Sequence, residues 1–140
     1  MSVSDSNNMD VVNALKRNRL FRDCDTQSLL FLCENGSFHT IKQGDRIIEE
    51  GSGEYDAYVL ISGEVRIYRD EFLMARFGQG TLFGEFALMT GTPYSASAEA
   101  LNEVSVFRIS REQFLKTVRE HSDFALTVIR NLGLRLRRHL

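Results

Sequence analysis

The sequence predicts a mainly β fold with flanking helices, an antiparallel β-roll or jelly-roll of about eight short strands bracketed by helices at both ends. Three observations predict it. Strand-like pieces recur at close intervals between Phe38 and Ile109, punctuated by Gly, Asp, Asn and Ser, a spacing that belongs to antiparallel sandwiches and barrels. Within them Val65 and Ile67 alternate with Glu64, Arg66 and Tyr68, and Ala96, Ala98 and Ala100 with Ser95, Ser97 and Glu99, the period of half-buried strands. After Ile109 the apolar period becomes helical, so the roll closes there and helices follow.

Taken in order, the polar residues 1–8, rich in Ser and Asn, are expected to be disordered, outside a single folded unit over residues 9–140. An amphipathic helix is expected over Asp10–Lys16, and a second over Thr26 to about Asn35 with Asp25 as its N-cap. Cys24 and Leu29 bracket that cap as a hydrophobic staple. Strands are expected at Phe38–Ile41, Arg46–Glu49, Ala57–Ile61, Glu64–Tyr68, Phe72–Phe77, Tyr94–Ala100 and Val104–Ile109, with a further strand ended by Gly84, placing the roll at about residues 37–109. Ser110 followed by Gln113 forms a capping box for a helix to about Glu120, and Ser122 is placed to cap a last helix; these helices occupy about residues 111–140. Along the last one Phe124, Val128, Ile129, Leu132 and Leu136 make an apolar stripe beside Arg130, Arg135, Arg137 and Arg138. Packing on the roll and contact with a partner or second copy both satisfy that stripe.

With 140 residues, 43% of them hydrophobic, the chain suits one domain with a real core. A formal net charge of −2 offers no general attraction to nucleic acid or to an anionic membrane, and neither partner is expected. No apolar run approaches the length of a membrane span, and the polar start lacks the features of a signal peptide; the expected location is cytoplasmic. Cys24 and Cys33 match neither a redox pair nor a zinc knuckle, and His39, His121 and His139 lack ligand spacing, so no metal and no resident cofactor is expected. Gly78-Gln79-Gly80-Thr81-Leu82-Phe83-Gly84 approaches a dinucleotide fingerprint, but three residues separate its last two glycines and no βαβ context surrounds it. No nucleophile and base occur in a recognisable order, and the clustered histidines of a metal-dependent barrel are missing. An enzyme is not expected.

The stretch from Phe83 to Ala96 carries the functional reading. Gly84 is placed to end a strand and open a short helix, so backbone N–H groups at the first turn point outward toward any anion. Glu85 then supplies a carboxylate that can accept from hydroxyl groups. This run resembles the phosphate-binding cassette of cyclic nucleotide-binding domains. Leu20-Phe21, Gly44-Asp45, Glu50-Gly51, Asp56-Ala57-Tyr58-Val59-Leu60, Ser62-Gly63-Glu64-Val65 and Gly80 are similar, in order and spacing, to the β-roll of that family, of the catabolite activator and protein kinase A regulatory subunit type. The resemblance spans about Leu20 to Leu140. It implies a regulatory domain whose cassette holds cAMP or cGMP, with Gly84 and the following amides at the phosphate, Glu85 at the ribose hydroxyl, and a C-terminal helix as a lid. The ligand-contact set it implies is Phe83, Gly84, Glu85, Phe86, Ala87, Tyr94, Ser95 and Ala96.

Tyr94 departs from the pattern, because it stands where the family has the arginine that pairs with the cyclic phosphate. Losing one charge-assisted hydrogen bond is worth about 1.5–3 kcal/mol, on the order of ten- to a hundredfold in affinity. Arg66 or Arg76 would replace the charge if either pointed inward. On the lid, Arg130, Arg135 and Arg138 are candidates for the base, since a guanidinium stacks on a purine. Two functions follow: a sensing domain that binds cyclic nucleotide weakly, or a degenerate fold without nucleotide that acts as a protein interaction or dimerisation module through its last helix. A DNA-binding regulator would need a helix-turn-helix after the lid, and none is seen before Leu140.

Overall fold

The computed structural model describes residues 3–139, with side-chain environments from Asn8 onward. Helices α1 (Val3–Arg17) and α2 (Thr26–Cys33) precede strands β1 (Ser37–Ile41), β2 (Arg46–Ile48), β3 (Ala57–Ser62), β4 (Val65–Arg69), β5 (Phe72–Phe77) and β6 (Leu82–Phe83). Helix α3 (Glu85–Thr90), strands β7 (Ser97–Ala100) and β8 (Val104–Ile109), and helices α4 (Arg111–Glu120) and α5 (Ser122–Arg138) complete the order. The strands form two antiparallel four-stranded sheets, β1-β8-β3-β6 and β2-β7-β4-β5. The expected antiparallel roll with flanking helices is the fold observed.

The sequence character of each strand follows from how many of its faces are covered. In β3, Ala57 and Val59 pack in the cluster with α1, α2, α4 and α5, whereas Tyr58 and Leu60 pack between the sheets. β8 divides in the same way, with Phe107 and Ile109 toward the helices and Val104 and Val106 toward the other sheet. Both faces are dry, so these strands read as nearly continuous apolar runs. The second sheet is covered on one side: Ala98 and Ala100 face the inner cluster while Glu99 pairs with Arg66 across the outer face, at 3.2 and 3.3 Å. That is the origin of its alternation.

Several expectations are corrected. Helix α1 begins at Val3, so the polar residues placed outside the domain are helical from there on. Helix α2 stops at Cys33, and Asn35 turns the chain at φ 62°; Asp25 occupies the N-cap position without a side-chain bond. Ser110 does cap α4, its Oγ accepting from the Gln113 N–H at 3.1 Å, but the Gln113 amide does not return the bond. It donates to the Phe31 carbonyl at 2.8 Å and ties α4 to α2 instead. His121, not Ser122, is the N-cap of α5. Tyr68, expected outside with Glu64 and Arg66, is nearly buried, yet it belongs to neither apolar cluster. The guanidinium of Arg66 lies 4.4 Å from its ring centroid and that of Arg46 6.0 Å, so cations cover it on the solvent face.

Cys24 and Cys33 are free and buried. Burial pushes the Cys24 thiol up to about 11, with Asp25 and Asp23 adding to the effect, and the Cys33 thiol up to about 12. Both act as small apolar packers, Cys24 alongside Leu29. Among the described residues no helix is long and apolar enough to cross a membrane.

Candidate functional site

Strand β6 delivers the chain to Gly84, whose φ of 81° and ψ of 10° lie in the left-handed region. A Cβ there would stand 2.9 Å from the Asp56 carbonyl oxygen and 3.4 Å from Tyr94 Cε1, so the position admits only glycine on both steric and backbone grounds. The six-residue helix α3 starts at Glu85 and stops at Gly91, again left-handed at φ 67°, whose N–H bonds the Ala87 carbonyl at 2.9 Å. Pro93 and Tyr94 then bring the chain back beside Gly84.

Tyr94 is fixed from three sides. Its backbone accepts from the Gly51 N–H at 2.9 Å and donates to the Ser52 carbonyl at 3.2 Å. Its hydroxyl donates to the Asp56 carbonyl at 2.6 Å, inside the cluster that contains Tyr58, Phe83 and Ala87. Burial, reinforced by Tyr58 and Asp56, holds the phenol well above its ordinary pKa, so it stays neutral. The ring forms a wall beside Gly84, and the polar tip is turned inward.

A cavity of about 220 Å³ opens over this wall. All eight expected contact residues, Phe83, Gly84, Glu85, Phe86, Ala87, Tyr94, Ser95 and Ala96, line it. Ile48, Ile67, Met74 and Phe77 supply an apolar remainder. The cation at its edge is Arg69, whose Nε donates to the Ser95 carbonyl at 2.7 Å. Neither Arg66 nor Arg76 lines it; Arg66 is held on the outer face by Glu99. The signal for Arg69 was the alternation itself, because Val65, Ile67 and Arg69 share one face of β4.

Glu85 lies on the boundary between this cavity and a neighbouring cleft that Arg17, Arg19 and Arg135 also line. Burial raises its pKa, while its own backbone N–H and the charge of Arg135 act the other way. Asp56 is the residue that sequence reasoning left without a role. Its buried carboxylate accepts from Arg108 Nε at 2.5 Å and from the Arg111 N–H at 3.2 Å, while its carbonyl takes the Tyr94 hydroxyl. One residue thereby joins β3, β8, the start of α4 and the wall of the cavity.

The last helix does not deliver its arginines to the cavity. Arg130, Arg135 and Arg138 line a separate cleft facing the turn between α1 and α2. Arg135 alone reaches the cassette, its guanidinium 5.4 Å from the Phe86 ring centroid. The expected stripe also splits: Phe124 and Val128 are buried and Leu132 half-buried, but Ile129 and Leu136 are each 62% exposed. Buried Asn131 takes their place, its Nδ2 donating to the carbonyls of Leu20 at 2.9 Å and Arg22 at 2.8 Å. No group of three or more His, Cys, Asp or Glu residues that could hold a metal occurs among the described residues.

The family model described as the cyclic nucleotide-binding domain matches residues 38–121, from the second residue of β1 to the end of α4. The chain belongs to the cyclic nucleotide-binding domain family. It is 27% identical over 109 residues to cGMP-dependent protein kinase 2 of Homo sapiens, covering 78% of this chain and 14% of the kinase. It is 31% identical over 117 residues to a cAMP-dependent protein kinase regulatory subunit of Debaryomyces hansenii, covering 81% of this chain and 26% of the subunit. Among solved structures, the N-terminal domain of a transcriptional regulator from Streptomyces coelicolor A3(2) superposes with a TM-score of 0.81 at 27% identity, covering 90% of this chain and 92% of that one. The chain thus spans a small part of the curated relatives and nearly the whole of that isolated domain. In this chain the cavity sits where β6 meets α3, and the side chain beside Gly84 is the neutral Tyr94.

Proposed function

We propose that this cyclic nucleotide-binding family domain is a regulatory, ligand-sensing module whose cavity accepts cAMP or cGMP only weakly. The observation that carries this is Tyr94: its hydroxyl is already committed to Asp56, so the phosphate seat offers a ring face where a cation would be needed. Four features support a residual site. The cavity is present, Gly84 leaves the start of α3 without a side chain, Ser95 is among the lining residues, and Arg69 lines the edge with its Nε bonded to the Ser95 carbonyl. Glu85 supports ribose recognition because it lines the cavity and a carboxyl group accepts hydrogen bonds from hydroxyl donors.

Titration with cAMP and with cGMP, followed by the amide resonances of Gly84, Glu85 and Ser95, tests the reading. Fast-exchange shifts that saturate only toward millimolar nucleotide are expected. Silence of those amides at millimolar concentration of both nucleotides would reject ligand sensing by cyclic nucleotides. One observation favours a second reading, a protein interaction or dimerisation module: Leu126, Ile129 and Leu136 stand 62–63% exposed on α5. A helix face of that kind is suited to docking on another protein or on a second copy.

A further inference from the structure

We propose that the cleft between α5 and the turn joining α1 to α2 is a binding site for an oligophosphate group, distinct from the cavity beside Gly84. The cleft measures about 200 Å³, and Arg19, Arg22, Arg130, Arg135 and Arg138 line it. Asp23 is the carboxylate among its lining residues, 3.8 Å from Arg130. The other four guanidinium groups have no carboxylate within ion-pair distance among the described residues. A molecule with net charge −2 therefore gathers, on two facing elements, four guanidinium groups that make no ion pair among the described residues. An anion seated between them is attracted by all of them at once.

The walls are rigid. Asn131, 6% exposed, donates to the carbonyls of both Leu20 and Arg22, and the Arg22 N–H bonds the Asn18 carbonyl at 2.9 Å. The α1–α2 turn and α5, the two elements that carry the arginines, are therefore tied to each other through the Asn131 side chain and the turn's backbone carbonyls. Guanidinium forks match phosphate oxygens two at a time, and each phosphate group carries roughly −1.5 to −2 at neutral pH, so two linked groups balance four arginines. Arg135 connects this cleft to the cassette: it lines both this cleft and the neighbouring one that reaches Glu85, and it rests over Phe86. An anion that engages Arg135 alters its contact with Phe86.

Inorganic pyrophosphate titrated into the whole chain by calorimetry, at constant ionic strength and with sulfate as the control anion, is the test. Saturable one-to-one binding is expected, weakened about tenfold or more in the double variant Arg22→Gln, Arg138→Gln. The Phe86 ring resonances should shift as the site fills. No saturable heat, or equal affinity in a folded double variant, overturns the proposal. Should that variant not fold, the arginine Nε–H resonances of the parent decide: the five arginines of the cleft must move on titration, and movement confined to others overturns it. Vesicles of phosphatidylcholine with and without a phosphoinositide bisphosphate separate the sources. Retention on the phosphoinositide vesicles, competed by pyrophosphate, assigns the site to a lipid headgroup; saturable pyrophosphate binding without retention assigns it to a soluble oligophosphate. Because the readout is pyrophosphate binding, its failure is distinguishable from failure of cyclic nucleotide binding.

Discussion

At Asp56 a single residue sets the position of the cavity wall. Its carboxylate is nearly buried and holds Arg108, while its carbonyl holds Tyr94. Asp56→Asn keeps the shape but removes the charge that Arg108 and the Arg111 N–H require. Arg108 is 46% exposed, so solvent screens part of the pair, and a loss of about 2 kcal/mol in urea unfolding is expected. A loss below about 0.5 kcal/mol, the level of an ordinary surface change, would show that the carboxylate does not organise this corner. Glu85 makes a prediction of opposite sign. Its folded-state pKa is raised, first by burial, so its contribution to stability is present below the ordinary carboxylate range and is lost as pH rises through the raised value. Glu85→Gln should therefore raise the unfolding midpoint at neutral pH, and the gap between variant and parent should close toward about pH 4. A gap that stays constant across that range would contradict the assigned cause.

At the scale of elements, α5 is fastened at one face and open on the other. Phe124 and Val128 pack in the core and Asn131 anchors the turn after α1, whereas Leu126, Ile129 and Leu136 remain open. If that face mediates self-association, sedimentation velocity of the whole chain should show a concentration-dependent dimer that disappears in Leu126→Glu, Ile129→Glu. A parent that stays monomeric into the high micromolar range would remove the dimer version of the second reading. The same helix shows what was legible in sequence. Helical periodicity located α5 and its apolar content, but it ranked Ile129 with Val128 and passed over Asn131. Period alone does not reveal that two carbonyls of a distant turn await a side-chain amide. Likewise Ser110 was readable as a cap because the bond is local. The partner of Gln113 on α2 was not, being set by tertiary packing. In β4, the alternation that gave Val65 and Ile67 also marked Arg69, and charge at a strand end obscured it. Tyr68 broke the same alternation because long cations, absent from any binary pattern, cover it.

For the whole molecule, two apolar clusters share the first sheet as a common layer, one against the helices and one between the sheets. The cavity opens beside the second cluster, where β6 meets α3, and the cassette is built from backbone geometry that the glycines at 84 and 91 permit. Family membership and the antiparallel roll with flanking helices were therefore readable in the sequence, whereas the order of strands within the two sheets was not. What also required the structure was the direction of Tyr94: a phenol in that position could equally have pointed its hydroxyl at a ligand, and only the Asp56 carbonyl decides that it does not.

The most direct measurement is a calorimetric titration of cAMP and cGMP into the parent chain and into Tyr94→Arg under identical conditions. Restoring a guanidinium beside Gly84 is expected to tighten binding by about 1.5–3 kcal/mol, roughly ten- to a hundredfold, over a parent that binds weaker than micromolar. Submicromolar binding by the parent, with no gain in the variant, would contradict the claim that the neutral Tyr94 wall limits this site.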